Sequence, residues 1–112
     1  METRREQSGE VAIVTPMDAH LDASNAGDFK QAMVPVLDTQ NSVVLDLREV
    51  QFVDSSGLGA ILSCLRQLNG KGGDLKLCGM TKPVHVLFEL VRMHRVFDIF
   101  SNREDAVRAF SK

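Results

Sequence analysis

The chain has 112 residues, of which 44% are apolar and 25% are charged, and its formal net charge is −2. These values predict one soluble globular domain, 1–112, and argue against a disordered chain. The charge balance argues against a nucleic-acid-binding surface, and no apolar run approaches the ~18 residues of a membrane span. Since the polar N-terminal segment does not resemble a signal peptide, we expect a cytoplasmic protein without membrane insertion.

The cysteines and histidines give no sign of a metal or redox site. Cys64 and Cys78 lie inside apolar runs, which is typical of small buried thiols in a reducing compartment. His20, His85 and His94 have no metal-ligand spacing with one another or with the cysteines. We therefore expect no disulfide and no metal.

The first part of the chain predicts two strands and a helix. Residues 10–16 are rich in β-branched side chains and predict a strand, with the charged segment 3–7 as a short edge strand pairing back onto it. Cap-type side chains at 22–24 predict the start of a helix over 25–39, which Pro35 should kink or shorten. The predicted apolar face of this helix consists of Ala26, Phe29, Met33, Val36 and Leu37.

A buried strand and a second helix follow. Residues 42–47 form a nearly continuous apolar run, as expected for a central strand covered on both faces. A helix-spaced apolar series then runs to 69–70, and the glycine-rich segment 70–73 predicts a turn in which Gly70 adopts a positive φ. The series consists of Leu58, Ile61, Leu62, Leu65 and Leu68.

Two further strand–helix pairs complete the chain. Residues 74–79 alternate as a strand, and Thr81 is the predicted cap of a third helix. After a short strand over 96–100, Ser101 and Glu104 have the spacing of a capping box that opens a final helix. The predicted inward residues are Val84, Leu87, Phe88 and Val91 on the third helix, and Val107 and Phe110 on the fourth.

The elements alternate strictly from residue 42 onward. Strand and helix follow each other three times, which favours an α/β fold with parallel strands and right-handed crossovers. We expect a small, mostly parallel β-sheet with about four α-helices packed on it.

The segment "FVDSSGLGAIL", 52–62, places an acid, two serines and two glycines where a strand gives way to a helix. Ser55 or Ser56 could cap the helix, since serine is a leading N-cap residue. Gly57 and Gly59 are harder to explain, because each weakens a helix by ~1 kcal/mol relative to Ala. They suggest close approach to the backbone, by a partner or by a neighbouring strand.

A catalytic serine is a poor interpretation of this segment. The nucleophile elbow requires a glycine two residues before the serine, and Val53 stands there before Ser55. None of the histidines carries a sequence sign of acting as the base. We therefore predict that the chain is not an enzyme.

A serine displayed for modification fits the segment better. A helix N-terminus offers free amides and a positive dipole end, so it can hold a phosphate on one of its own residues. Such a phosphate adds ~1.5–2 negative charges and changes the surface more than the fold.

The segment resembles the signature of the STAS domain (sulfate transporter and anti-sigma factor antagonist), and most closely that of stand-alone bacterial anti-sigma factor antagonists. The resemblance implies the STAS fold and covers nearly the whole chain. Besides 52–62, the matching segments are "HLDASNAGDFKQAM" at 20–33, "VVLDLREVQF" at 43–52 and "GGDLKLCGMTKPVHVLFELVRMHRVFDIF" at 72–100.

The resemblance also implies the roles of individual residues. The first serine of the motif, Ser55, is then the phosphoacceptor, with Asp22 and Asp54 as acids of the surrounding partner surface. Asp46 falls where many members have Asp or Asn at the end of the central strand. The remaining predicted partner-binding residues form the start of the second helix: Ser56, Gly57, Leu58 and Gly59.

This chain departs from the family pattern before Asp22. Ala19 and His20 stand where Gly and Glu are common, and residues 17–18 are also unusual. These changes bear on which partner is recognised rather than on the switch.

The resemblance implies a partner-switching cycle, in which this domain itself carries no catalysis and holds no cofactor. The unphosphorylated antagonist binds an anti-sigma factor that is also a serine-protein kinase, and so releases that factor's target. Phosphorylation at Ser55 ends binding, and a PP2C-type phosphatase reverses the modification. Two alternatives within the family are the cytoplasmic domain of a transporter and an accessory subunit of a lipid-transport ABC complex, in which the serine need not be phosphorylated.

Overall fold

The computed structural model describes residues 1–111. Its strands are β1 (Thr3–Ser8), β2 (Val11–Pro16), β3 (His20–Leu21), β4 (Ser42–Asp46), β5 (Phe52–Val53), β6 (Asp74–Cys78) and β7 (Asp98–Phe100). Its α-helices are α1 (Ala26–Thr39), α2 (Ser55–Gly70), α3 (Lys82–Leu90) and α4 (Arg103–Arg108), and a 3₁₀ helix spans Met93–Arg95.

The main sheet has five strands in the order β1-β2-β4-β6-β7. β1 is antiparallel to β2 and lies at the edge, as predicted, while all other neighbouring strands are parallel. The charged side chains of β1 suit an edge position because they disfavour pairing with another chain. The predicted mostly parallel α/β sheet with four helices is confirmed.

Helices cover both faces of the sheet. The larger core joins one face of the sheet to α1, α2 and α3, and its largest fully buried side chains include Phe29, Phe88, Met33 and Leu68. A smaller core on the other face joins Val11, Ile13 and Val44 to Ala106 of α4. Across residues 1–111, every helix is too short or too polar to span a bilayer.

The two cysteines are buried and unpaired. Burial raises the pKa of the Cys64 thiol to about 11 and that of the Cys78 thiol to about 12, where the nearby carboxylate of Asp46 adds to the shift. Both side chains are therefore neutral and unreactive at pH 7, in agreement with the expected structural role.

The first helix is longer than the proline suggested. α1 runs without interruption to Thr39, so the predicted shortening at Pro35 is wrong. Pro35 lies on the exposed side of α1. The helix begins after Asn25, whose amide oxygen accepts from the backbone N–H of Asp22 at 2.9 Å and thereby fixes the preceding turn.

The left-handed residue after α2 lies two positions later than predicted. Gly70 is the last helical residue, and the positive φ of 85° is found at Gly72. The N–H groups of Gly72 and Gly73 donate to the carbonyl oxygens of Asn69 and Leu68, which is the hydrogen-bond pattern of a Schellman motif. The predicted turn is present, but the assignment of its left-handed residue was wrong.

The cap of α4 also differs from the prediction. Asn102 precedes the helix, and its side-chain oxygen accepts from the N–H of Asp105 at 2.8 Å. The capping box predicted at Ser101 and Glu104 is therefore wrong by one residue. Adjacent Ser and Asn can both cap, and the helix uses the second of them.

The apolar face predicted for α3 is correct only in part. Val84 and Phe88 are buried and Leu87 packs against the core, but Val91 is 43% exposed. The helix ends at Leu90 and the chain turns at Arg92, so helical spacing no longer applies at position 91. The last strand begins at Asp98, two residues later than predicted.

We expect alanine substitutions on α2 to lower the free energy of unfolding more at its buried centre than at its half-buried flank. Leu68 is fully buried, whereas Leu62 is only half-buried against the same core. Leu68→Ala should lower the free energy of unfolding by ~2–5 kcal/mol because it leaves a cavity, and Leu62→Ala by about 1–2 kcal/mol. Urea denaturation of both variants measures the difference, and equal losses would contradict the packing described.

Candidate functional site

The candidate site is built on the two-stranded parallel pair of β3 and β5. Its register sets His20 beside Phe52 and Leu21 beside Val53. Leu21 and Val53 are buried, while His20 and Phe52 are exposed. Because side chains alternate along a strand, Asp22 and Asp54 follow on the outward side. The pair therefore presents two rings and two acids immediately before α2.

Asp54 is the N-cap of α2. One of its carboxylate oxygens, Oδ1, accepts from the N–H of Gly57 at 2.9 Å, and Oδ2 accepts from the N–H of Ala23 at 3.1 Å. The alternative in which Ser55 or Ser56 caps the helix is therefore wrong. One carboxylate both starts the helix and holds the loop after β3 against it.

Ser55 and Ser56 are the first two residues of α2, and both are exposed. Within residues 1–111 neither hydroxyl forms a hydrogen bond to a side chain or to the backbone. The predicted phosphoacceptor thus lies at a helix N-terminus with its hydroxyl directed to solvent and without a structural task.

The two serines lie on different flanks of α2. Ser55 shares its flank with Leu58 and Leu62, three and seven residues further on, and both leucines are half-buried. Ser56 shares its flank with Ser63, which lines the groove between α1 and α2.

Gly57 and Gly59 have different reasons for lacking a side chain. A Cβ on Gly57 would overlap the carbonyl oxygen of Leu21 and lie 2.7 Å from its carbonyl carbon. Around Gly59 there is open space. Gly57 is therefore required for packing of the helix start on β3. Gly59 instead leaves exposed backbone without a side chain at the surface.

Asp22 is half-exposed and tightly held. Its Oδ1 accepts from both the hydroxyl and the N–H of Ser24, and its Oδ2 lies 3.1 Å from Nδ1 of His20. The hydrogen bond from the Ser24 hydroxyl is the main cause that lowers the pKa of Asp22, with partial burial opposing it and the Ser24 N–H and His20 adding to it. Asp22 therefore remains a carboxylate at neutral pH.

The predicted site residues are thus brought together, with different exposures. Asp22, Asp54 and Leu58 are half-exposed, and Ser55 between them is exposed. Within the described part of the chain, no group of three His, Cys, Asp or Glu side chains is placed to hold a metal ion.

Sequence reasoning missed the outward position of Phe52, which is 56% exposed. Its apolar character suggested the core, but strand alternation from the buried Val53 gives the opposite side. His20 was noticed only as a departure from the family pattern, and the structure adds its contact with Asp22.

Asp46 ends the central strand β4, as the resemblance implied, and is almost completely buried. Its carboxylate pairs with Arg48 and with Arg103 of α4, each at 2.9 Å. Arg103 also pairs with Glu6 of β1. This network fastens α4 to the sheet at the carboxyl ends of the parallel strands.

Alanine substitutions at the two glycines should have opposite effects. Gly57→Ala forces the backbone of α2 away from Leu21, and we expect a loss of roughly 1–3 kcal/mol. Gly59→Ala meets open space and gains helix propensity, so we expect stabilisation by about 0.5–1 kcal/mol. Thermal unfolding of both variants checks the signs, and a stabilising Gly57→Ala would refute the close approach.

Known proteins resemble this chain over most of its length. The family model described as the STAS domain matches residues 3–106. An anti-sigma F factor antagonist of Paenibacillus polymyxa is 38% identical over 65 residues, which are 58% of this chain and 56% of that protein. The chain thus spans little more than half the length of this relative.

Solved structures show the same fold. An anti-sigma factor antagonist of Thermotoga maritima superposes with a TM-score of 0.88 at 23% identity, covering 98% of this chain and 95% of that one. The Bacillus antagonist SpoIIAA in its unphosphorylated form has a TM-score of 0.77 at 17% identity, covering 97% and 96%. Its phosphorylated form has a TM-score of 0.72 at 16% identity, covering 97% and 99%. The family model, the sheet order and the Asp-Ser-Ser-Gly-Leu-Gly helix start agree, and the chain belongs to the STAS domain family.

Proposed function

We propose that this protein is an anti-sigma factor antagonist whose binding is switched by phosphorylation of Ser55. The observation that carries the proposal is the exposed Ser55 hydroxyl at the start of α2, beside an Asp54 carboxylate that already caps the helix. A kinase can modify this hydroxyl without removing a hydrogen bond from the fold. The unphosphorylated form binds an anti-sigma factor that is also a serine-protein kinase.

The flanks of α2 favour Ser55 over Ser56 as the phosphoacceptor. Ser55 continues into the half-buried apolar surface of Leu58 and Leu62, which a partner can cover. A phosphate there lies within the contact. Ser56 faces the side of α1, so a phosphate on it leaves the apolar flank unchanged.

Electrostatics explain how the modification ends binding. The phosphate adds ~1.5–2 negative charges next to Asp22 and Asp54, on a surface that binds its partner with a neutral serine. Burying these charges without a counter-ion is strongly unfavourable. A loss of ~100-fold in affinity requires only ~2.8 kcal/mol.

The proposed partner surface divides into shaping and contacting residues. Asp54 and Gly57 fix the position of the helix start. The carboxylate of Asp54 is already hydrogen-bonded within the fold, and Gly57 is buried, so neither is free to contact a partner directly. Asp22, Leu58 and Gly59 present an acid, an apolar side chain and bare backbone to the partner. Ser56 lies beside them, and the outward rings of His20 and Phe52 extend the same surface.

The relatives support this proposal by their names. The P. polymyxa relative is an anti-sigma F factor antagonist, and SpoIIAA is known in unphosphorylated and phosphorylated forms. By the same reasoning we propose a cytoplasmic, non-enzymatic regulator without a cofactor, whose phosphoserine is hydrolysed by a PP2C-type phosphatase. ATP and metal ions then belong to the partners.

The central test replaces the serines one at a time. Each anti-sigma factor kinase of the source organism is incubated with the wild-type protein, ATP and Mg²⁺, and the phosphorylated residue is identified by mass spectrometry. We expect phosphate on Ser55, none on Ser55→Ala, and normal phosphorylation of the matched control Ser56→Ala. Calorimetric titration should show tight binding of Ser55→Ala and at least ~100-fold weaker binding of Ser55→Asp.

Two outcomes would overturn the switch. Phosphate on Ser56 would move the site to the other flank of α2, and equal affinities of Ser55→Ala and Ser55→Asp would remove the control by charge. Binding to the subunits of a lipid-transport ABC complex, with no kinase engaging the protein, would favour the accessory-subunit alternative instead.

Asp22 provides an independent test of the partner surface. Asp22→Asn keeps the shape of the side chain and removes the charge held by Ser24 and His20. We expect slower phosphorylation by the kinase with an unchanged melting temperature. Asp28→Asn, at an exposed acid in the first turn of α1, is the control and should leave the rate unchanged. Equal rates for both variants would assign Asp22 a structural role only.

A further inference from the structure

Exposed apolar side chains concentrate at one corner of the molecule, around the end of α3. Residues 1–111 contain six large apolar residues classed as exposed, and four of them lie between 86 and 96. Leu90 is 76% exposed, and the other three are 43–47% exposed. We call this surface the α3 corner; it consists of Val86, Leu90, Val91, Arg92, His94, Arg95 and Val96.

The α3 corner is a fixed turn and not a loose loop. Phe88 and Phe97 on either side of it are buried and pack together with ring centroids 5.9 Å apart. The N–H groups of Val96 and Phe97 both donate to the carbonyl oxygen of Met93 at 3.0 Å. The apolar side chains are therefore held outward by an anchored backbone.

The polar residues of the α3 corner are all basic. Arg92, His94 and Arg95 are exposed, and none of them forms an ion pair within residues 1–111. The two acids that flank this stretch, Glu89 and Asp98, are exposed, and each lies beside a histidine or lysine outside the corner. The corner is thus a local positive surface around an apolar centre.

The backbone conformation of Arg92 is a third observation on this surface, independent of its exposure and charge. Arg92 has φ 61° and is the only residue other than glycine with a positive φ in the described part of the chain. Glycine adopts this conformation without strain, whereas a side chain is strained in it. Strained residues retained in a fold are concentrated at functional sites. Arg92 directly follows Val91, the C-cap residue of α3, where helices commonly adopt a left-handed residue and usually use glycine. The arginine therefore keeps a charged side chain where glycine would close the turn with less strain.

We propose that the α3 corner binds an acidic, partly apolar segment of a partner protein. Apolar side chains rimmed by polar ones are typical of protein interfaces, and the unpaired arginines select carboxylates as their counterparts. A second copy of this chain would bring Arg92 and Arg95 against their own equivalents. Lipid-binding surfaces usually carry ~4–8 Lys or Arg, and two arginines on a net-negative chain fall short of that.

The α3 corner and the Ser55 site lie at opposite ends of the parallel strands. α2 begins at the carboxyl ends of the parallel strands, while α3 ends at their amino ends, just before β7. The two sites lie at opposite ends along the strand direction, so we expect a phosphate on Ser55 to lie outside a contact at the end of α3. The inference does not rest on the proposed function, and a partner bound here stays bound when Ser55 is modified.

The test begins with a photo-cross-linking amino acid in place of Leu90, expressed in the source organism. The matched control carries it in place of Val34, which is 49% exposed on α1 without arginine neighbours of this kind. We expect one protein to cross-link at position 90 and not at position 34. The captured protein is then purified and titrated against the wild-type chain, with affinity falling as ionic strength rises.

Charge reversal and strain relief complete the test. Arg92→Glu combined with Arg95→Glu should weaken this binding at least about tenfold, which corresponds to ~1.4 kcal/mol, while Ser55→Asp leaves it unchanged. Arg92→Gly should raise the melting temperature and still weaken binding. Cross-links that are no stronger at position 90 than at 34, or that join only lipid or a second copy, would overturn the proposal. So would an unchanged affinity after charge reversal, or a loss with Ser55→Asp.

Discussion

The candidate site depends on the two hydrogen bonds of the Asp54 carboxylate. One bond, to the N–H of Gly57, starts α2, and the other, to the N–H of Ala23, holds the loop that follows β3. These bonds require the helix start to lie directly on β3, which is possible only because Gly57 has no side chain to meet the carbonyl of Leu21. An acid and a glycine three residues apart thus join two distant segments of the chain.

Because of this arrangement, the fold does not need a hydrogen bond from either serine hydroxyl. If Ser55 were the cap, its oxygen would accept a hydrogen bond from the helix, and a phosphate would disturb the first turn. Because Asp54 caps instead, Ser55 occupies the first helical position with its hydroxyl exposed. The helix amides and dipole around it favour an added anion locally, so the proposed phosphate would change the charge of the surface without removing a hydrogen bond from the fold.

The fold could be predicted from the sequence because its main hydrophobic patterns extend over many residues. Helical spacing recurs through α2, residues alternate in β6, and β2 and β4 are nearly continuous apolar runs. The alternation of strand and helix then implies a parallel sheet. Errors arose where the decision depends on one residue among similar neighbours. Asp54 and Ser55 can both cap a helix, and Gly70, Gly72 and Gly73 can all follow one. Tertiary contacts choose between such candidates: Asp54 is selected because it also reaches Ala23.

Some parts of the site could not be predicted from the sequence because they lie on elements that are too short to show a periodic pattern. β3 and β5 have two residues each, so their pairing and the outward direction of His20 and Phe52 appear only when the segments lie side by side. The end of α3 is a similar case, since the left-handed turn at Arg92 moves Val91 from the predicted core to the surface. In both places the departure from the simple pattern exposes apolar side chains. The first lies at the carboxyl edge of the sheet beside the acids and Ser55, the second at the amino edge beside unpaired arginines. Under the two proposals, the acids beside Ser55 and the unpaired arginines of the α3 corner would face different partners, so phosphorylation at one end of the strands would leave binding at the other end unchanged.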